Sequence, residues 1–182
     1  NRNDAMGLAK MLNALHEIPA LTCAIVEGAA MGGGAGIVAA CDMAVAVKGT
    51  KFAFSEVKLG LIPGTIAPYV VEAVGARTAR ALFMTGELFD AEAARSYGLV
   101  SHVLDSADGI DGFIAGFSDS MKACAPGAVG EAKRLVNHVA GHRIDHALME
   151  ETAKRIARAR VSPEGQEGVG AFLQKRKPRW TE

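Results

Sequence analysis

Five of the nine residues from 28 to 36 are glycine, in the run Gly28-Ala29-Ala30-Met31-Gly32-Gly33-Gly34-Ala35-Gly36. Glycine lets the main chain approach a ligand with no Cβ in the way, at the cost of extra backbone entropy on folding. The run separates two apolar stretches, 21–26 and 37–40. That pattern predicts a short buried strand leading in and a buried helix, 34–40, leading out. The unbonded N–H groups and positive dipole end of such a helix point back at the glycines. A carbonyl oxygen held there gains stabilisation as it becomes an enolate, and loss of one such donor costs roughly 3–4 kcal/mol of barrier. Twenty residues beyond Gly36 comes Ser55-Glu56, set between Phe52 and Phe54 on one side and Val57, Leu59, Leu61 and Ile62 on the other. A carboxylate among apolar neighbours can carry a proton, so amides and carboxylate together point to proton transfer beside a carbonyl. The bland alternative for Glu56 is a surface acid at a strand end.

Other readings of the glycine run compete with this one. A P-loop would need Gly-Lys-Ser/Thr to follow, which it does not. Gly34 to Ala39 fits G-x-G-x-x-A, but the acid of a dinucleotide site belongs at the end of the next strand, and 43–47 ends at Lys48. A tight turn with no ligand is the remaining alternative. The bulk properties narrow the partners: 20 basic residues balance 20 acidic ones and only 5% are aromatic, so neither nucleic acid nor an anionic membrane is expected. No apolar run nears the ~20 residues of a membrane span. Cys23, Cys41 and Cys124 suit neither a disulfide framework nor a zinc site, which favours a reducing, cytoplasmic setting. His138, His142 and His146 recur every four residues, but Gly141 interrupts them and no acidic or sulfur ligand completes a set, so no metal is expected. No G-x-S-x-G elbow occurs.

The opening residues enter an amphipathic helix at once, with Leu8, Met11, Leu12, Leu15 and Ile18 on one side, Asp4 as the expected N-cap and Pro19 as the stop. Such a start suggests that an upstream part of the protein precedes this chain. Asp42 is expected to cap or pin a turn. Strands are predicted at 21–26, 43–47, 51–54 and 99–104, and helices at 76–84, 90–97, 128–140, 144–160 and 164–176. This divides the chain into an α/β part, 1–125, and a helical part, 126–182. Lys175-Arg176-Lys177-Pro178-Arg179 is either a solvated helix end that complements the dipole or a dock for phosphates, with Phe172 one turn earlier.

Read together, these motifs resemble the crotonase family, the enoyl-CoA hydratases and isomerases. The likeness runs through A-M-G-G-G at 30–34, Cys41-Asp42, F-x-x-S-E-V-K-L-G-L-I-P-G at 52–64, the 75–100 segment and E-G-x-x-A-F-L-Q-K-R-K-P-x-W at 167–180. It implies a crotonase-type ββα spiral followed by a C-terminal helical trimerisation region, with a homotrimer or a dimer of trimers as the assembly. It also implies an acyl-CoA substrate, coenzyme A being part of that substrate and no separate cofactor being needed. The thioester oxygen would be held by two amides, one at Gly33 and one from a segment that precedes the first helix in relatives. Glu56 would be the proton carrier. Met31, Gly32, Gly36 and Pro63 would line the substrate, and Phe172 and Lys175 would meet the adenine and phosphates of the CoA.

Two departures bear on the reaction. Typical hydratases carry a second glutamate where this chain has Gly36, and a lone carboxylate suffices for a Δ3,Δ2-enoyl-CoA isomerase. The segment 61–70 lacks the usual G-G-T-Q and, with Gly36, resembles the methylglutaconyl-CoA and isohexenylglutaconyl-CoA hydratases of leucine and acyclic terpenoid breakdown. Hydration of a branched or carboxylated enoyl-CoA is therefore the expected reaction, with the isomerase and a non-catalytic crotonase-like scaffold as alternatives.

Overall fold

A computed structural model describes residues 1–181. Helix α1 (Arg2–Glu17) buries Leu12 completely, with Leu8 and Leu15 packed against the same core. Its N-cap is Asn1, with no side-chain cap bond, and not Asp4 as expected; Asp4 sits inside the first turn, where its charge still complements the dipole. Ile18 is extended (φ −54°, ψ 125°), the conformation favoured before a proline, and Pro19 thus ends the helix.

The chain forms two compact units: Asn1–Ile18 with Thr22–Gly112, and Pro19–Leu21 with Phe113–Glu182. The first holds the sheets. Strands β1 (Cys23–Val26), β2 (Ala29–Met31), β3 (Met43–Val47), β4 (Lys51–Ala53), β5 (Phe89–Asp90) and β6 (His102–Leu104) alternate with α2 (Gly33–Ala40), α3 (Ala67–Thr85) and α4 (Ala91–Tyr97). One sheet is all parallel, in the order β1-β3-β6, and the other is β2-β4-β5, with β2 parallel and β5 antiparallel to β4. Strand β2 lies inside the glycine run, where only a loop is expected. Its three residues pair as Ala29 with Lys51, Ala30 with Phe52 and Met31 with Ala53, and Gly28 (φ 73°) and Gly32 (φ 50°) turn the chain on either side.

Two packing features fix the strands that carry the site. Asp42 Oδ2 accepts from the Thr22 N–H (2.7 Å) and hydroxyl (2.8 Å), and the Asp42 N–H donates back to Thr22 Oγ1 (3.0 Å). This pins the starts of β1 and β3, as the sequence suggests for Asp42. Phe52 in β4 and Phe54 just after it are fully buried, Phe52 against Phe89 (5.7 Å between ring centres) and Phe54 edge-on to Phe83 (5.2 Å). Burying each ring contributes on the order of 3 kcal/mol, which anchors the residues immediately before Glu56. Helix α3 begins nine residues before the predicted start at 76. Gly75 (φ 76°, ψ 155°) breaks it into two helical segments, and the sequence pattern shows only the second.

The second unit is helical. Helix α5 (Gly109–Lys122), which the pattern misses, starts in the first unit and runs into the second. Gly109, Gly112 and Gly116 lower its intrinsic propensity enough to hide it. Helices α6 (Pro126–Val139), α7 (His146–Val161) and α8 (Pro163–Leu173) lie within one to three residues of their expected ends. Asp145 caps α7 by accepting from the Leu148 N–H, and Ser162 caps α8 by accepting from Gly165. Glu164 caps α6 from outside: its carboxylate accepts from the N–H groups of Gly127 and Ala128, both at 2.9 Å. Two charge-assisted bonds to first-turn amides join α6 to α8 and satisfy donors the helix itself leaves unpaired.

Candidate active site

The first turn of α2 is the core of the site. Gly32, its N-cap, has φ 50° and ψ −118°, a backbone that L side chains avoid, and its N–H donates to Ala53 O (2.9 Å). Gly36 N–H donates to Gly32 O (3.0 Å), the first bond of the helix. The N–H groups of Gly33, Gly34 and Ala35 thus have no carbonyl one turn earlier to bond. Gly33 and Gly34 are exposed, so their amides and the positive helix end are open to a ligand, whereas Ala35 and Gly36 are buried.

Glu56 reaches this turn from the end of β4. After Ser55 the chain makes a 3-10 turn, Glu56–Leu59, closed by Gly60 (φ 71°), and Leu61 N–H donates back to Glu56 O (3.0 Å). The carboxylate stands over Gly32: a methyl group on Gly32 would lie 3.3 Å from Glu56 Oε1. Oε2 is buried and has no hydrogen-bond partner in the described structure. A buried carboxylate oxygen with no protein partner keeps its acceptor capacity for a bound molecule or water. The start of α2 and the Glu56 carboxylate therefore meet, although 20 residues separate Gly36 from Glu56.

The chain that follows the 3-10 turn is largely apolar. Pro63, buried, accepts from Ala67 N–H (3.0 Å) and starts the turn that makes Ile66 the N-cap of α3. Ile66 is 1% exposed and lies against Gly36. Sequence reasoning did not single out Ile66, though one signal was available: a β-branched apolar residue stands where helix N-caps are usually Ser, Thr, Asp or Asn. Met31 is 39% exposed at the end of β2, and Leu59, Leu61 and Ile62 are exposed in the segment that follows Glu56.

Of the candidate residues, Met31, Gly32, Gly33, Gly36, Glu56 and Pro63 share the first unit, while Phe172 and Lys175 belong to the second. Phe172 is 81% exposed in the last turn of α8. Lys175 holds φ 53°, the left-handed position of a Schellman ending in which Lys175 N–H donates to Phe172 O and Arg176 N–H to Ala171 O. Glycine is the residue that position favours, so a lysine there is held at a cost. Next to it Arg176 forms a two-pronged pair with Glu167 (2.6 and 3.0 Å), whose carboxylate also accepts from Arg179 N–H. Hydrogen bonding by Arg176, ahead of the Arg179 amide, lowers the Glu167 pKa from 4.5 to about 2. The described residues contain no group of three metal-ligating side chains, and His138 and His142 stack on each other at 5.4 Å. No helix among them is long and apolar enough to cross a membrane.

Residues 4–182 match the family described as enoyl-CoA hydratase/isomerase. The chain belongs to that family. A crotonase-type crystal structure from Legionella pneumophila is 47% identical, with a TM-score of 0.90, over 99% of this chain and 69% of that one. The crystal structure of an enoyl-CoA hydratase from Shewanella pealeana is 39% identical, with a TM-score of 0.95, over 99% of this chain and 67% of that one. An enoyl-CoA isomerase/hydratase of Mycosarcoma maydis is 32% identical over 96% of this chain. This chain spans 64% of that relative's length. The mixed α/β architecture is therefore the crotonase fold, and the chain is a member of an enzyme family whose members carry both hydratase and isomerase names.

Proposed function

We propose that this enoyl-CoA hydratase/isomerase family member acts on the α-carbon of an acyl-CoA thioester, with Glu56 as the proton carrier and the Gly33 N–H as a donor to the thioester oxygen. The observation that carries the reading is the Glu56 carboxylate, with one oxygen over Gly32 and the other buried without a partner. In the hydratase direction, one O–H bond of a water breaks as its oxygen bonds to C3, the C2–C3 double bond is consumed as Glu56 delivers a proton to C2, and the proton released by the water passes to Glu56, which ends as it began. In the isomerase direction, Glu56 takes a proton from C2 of a 3-enoyl thioester and returns it to C4. Negative charge passes through the thioester oxygen in both cases, where the amide and the α2 dipole stabilise it.

The acyl group we propose is branched or carboxylated, on the likeness of Gly36 and residues 61–70 to the methylglutaconyl-CoA branch. Coenzyme A arrives as part of the substrate, and Phe172 and Lys175 are the proposed contacts for its adenine and phosphates. Val161, Val169, Phe172 and Leu173 expose more than half their surface, which supports assembly as a homotrimer or a dimer of trimers.

Replacing Glu56 with Gln keeps the shape and removes the titratable oxygen. Turnover is expected to fall by about 100- to 10,000-fold, the range for loss of a general acid–base. The rise in melting temperature caused by an acyl-CoA should stay as in the wild type, because binding does not need the proton. Unchanged turnover in Glu56→Gln would rule the assignment out.

A further inference from the structure

The Gly33 amide and the Glu56 carboxylate both hang from one short pair of strands. Gly33 follows Gly32, whose N–H donates to Ala53 O (2.9 Å) at the end of the β2–β4 ladder, and Glu56 comes three residues after Ala53. The register of β2 on β4 therefore sets where the two groups stand relative to each other. A slip of one residue would shift them by about 3.3 Å and turn Ala30, the buried residue of β2, outward. Three residues of low β-propensity specify that register only weakly through their own side chains.

What holds the register lies at the other end of the ladder. There the chain crosses twice from the β1-β3-β6 sheet to the β2-β4-β5 sheet, once through Glu27 and Gly28 and once through Lys48, Gly49 and Thr50. The Thr50 N–H closes its own corner on Val47 O (3.0 Å), and the Thr50 hydroxyl donates across to the other corner, to Val26 O (3.2 Å) at the end of β1. Lys51 N–H then donates to Gly28 O (2.9 Å). Only Glu27 and Gly28 separate Val26 from β2, so holding Val26 against Thr50 holds the start of β2 against the start of β4. Among the described residues Thr50 is the one polar side chain that is buried, at 1% exposed. A hydroxyl out of reach of water must keep its partner inside the protein, which makes this bond costly to give up.

We infer that Thr50 is a positioning residue for the chemistry at Glu56: its buried hydroxyl straps the two corners together and so sets the register from which the Gly33 amide and the Glu56 carboxylate leave. The inference rests on the proposed proton transfer at the α-carbon. Glu56 remains the group that meets the substrate, and Thr50 acts only through the β2–β4 ladder. A misplacement of about 1 Å between reacting groups can cost about 100-fold in rate. A change confined to that geometry lowers kcat and leaves KM nearly unchanged.

The test compares Thr50→Val, which keeps the branched shape and removes the donor, with Thr50→Ser, which keeps the donor and removes the methyl. Each intact protein is given 3-hexenoyl-CoA in deuterated water, and deuterium gained at C2 or C4 is read by mass. In that exchange a C2–H bond breaks as the proton passes to Glu56, the electron pair moves to the thioester oxygen, and a deuteron returns from the carboxyl after it has exchanged with solvent. Rates are taken per folded molecule, with the folded fraction from urea unfolding. Thr50→Val should lower kcat by about 10- to 100-fold with KM within about twofold, and Thr50→Ser should restore kcat to within about threefold of the wild type. If Thr50→Val does not fold, Thr50→Ala takes its place and is read against Thr50→Ser in the same way. A Thr50→Val protein that is less stable yet keeps the wild-type kcat, a loss confined to KM, or a Thr50→Ser as impaired as Thr50→Val overturns the inference and leaves the Glu56 chemistry standing. A wild type that gains no deuterium overturns both.

Discussion

Gly36→Ala tests the packing on which the site depends. The added methyl would sit 2.1 Å from Ile66 Cγ2, so one of the two must move by more than an ångström in a region where Ile66, Val70 and Val74 are buried. Overpacking of a filled core costs about 1–3 kcal/mol, and contact with a Cβ as well as a Cγ puts this site at the upper end. Alanine returns about 1 kcal/mol over glycine inside a helix. The net expectation is a loss of about 2 kcal/mol, or a melting temperature lower by about 4–8 °C for a chain of this size. Ile66→Ala alone should cost about 2–5 kcal/mol through the cavity it leaves. In the double variant the new methyl enters that cavity, so the combined loss should fall short of the sum by about 2 kcal/mol. Urea unfolding of the four proteins measures this coupling. Gly34→Ala is the internal control: a methyl there meets nothing within 4 Å, and its stability should equal or exceed the wild type. A neutral Gly36→Ala, or strictly additive losses, would refute the interlock.

Two further expectations concern the end of α8. Lys175→Gly should stabilise the fold by about 0.5–1 kcal/mol, because φ 53° strains a lysine and not a glycine. The same change should weaken acyl-CoA binding in isothermal titration, and a variant that is both less stable and unaffected in binding would refute both roles. Glu167 gives a pH signature: its carboxyl is held at about 2 against an ordinary 4.5, so its contribution is complete above about 4.5 and is lost as the pH falls toward about 2. Acid unfolding followed by circular dichroism should therefore be steeper in that window for the wild type than for Glu167→Gln, and identical slopes would count against the Arg176 pair.

The site was legible to the extent that it rests on backbone chemistry. A run of glycines between apolar stretches has few uses, and its spacing from Glu56, at the end of a phenylalanine-rich strand, is what set that residue apart from a surface acid. Asp42 pins its turn as its place after a buried helix suggests. What escaped the sequence has a common cause, in that local pattern was overridden by pairing or packing. Strand β2 is three residues of low β-propensity (Ala29, Ala30, Met31), held by its ladder to β4. Helix α5 forms despite three glycines, and Gly75 hides the first half of α3. Asp4 looks like a cap, yet the helix begins three residues earlier.

By itself the sequence determined the chemistry available: amides at a helix start, one carboxylate, and no side chain at position 36. Those are properties of residue type and spacing, which need no knowledge of distant contacts. Tertiary structure alone decided that Ile66 fills the space beside Gly36, that Glu164 caps α6 from α8, and that one oxygen of Glu56 is buried without a partner. Each depends on atoms brought together from separate elements, where close packing, and not local preference, sets which neighbour a group meets.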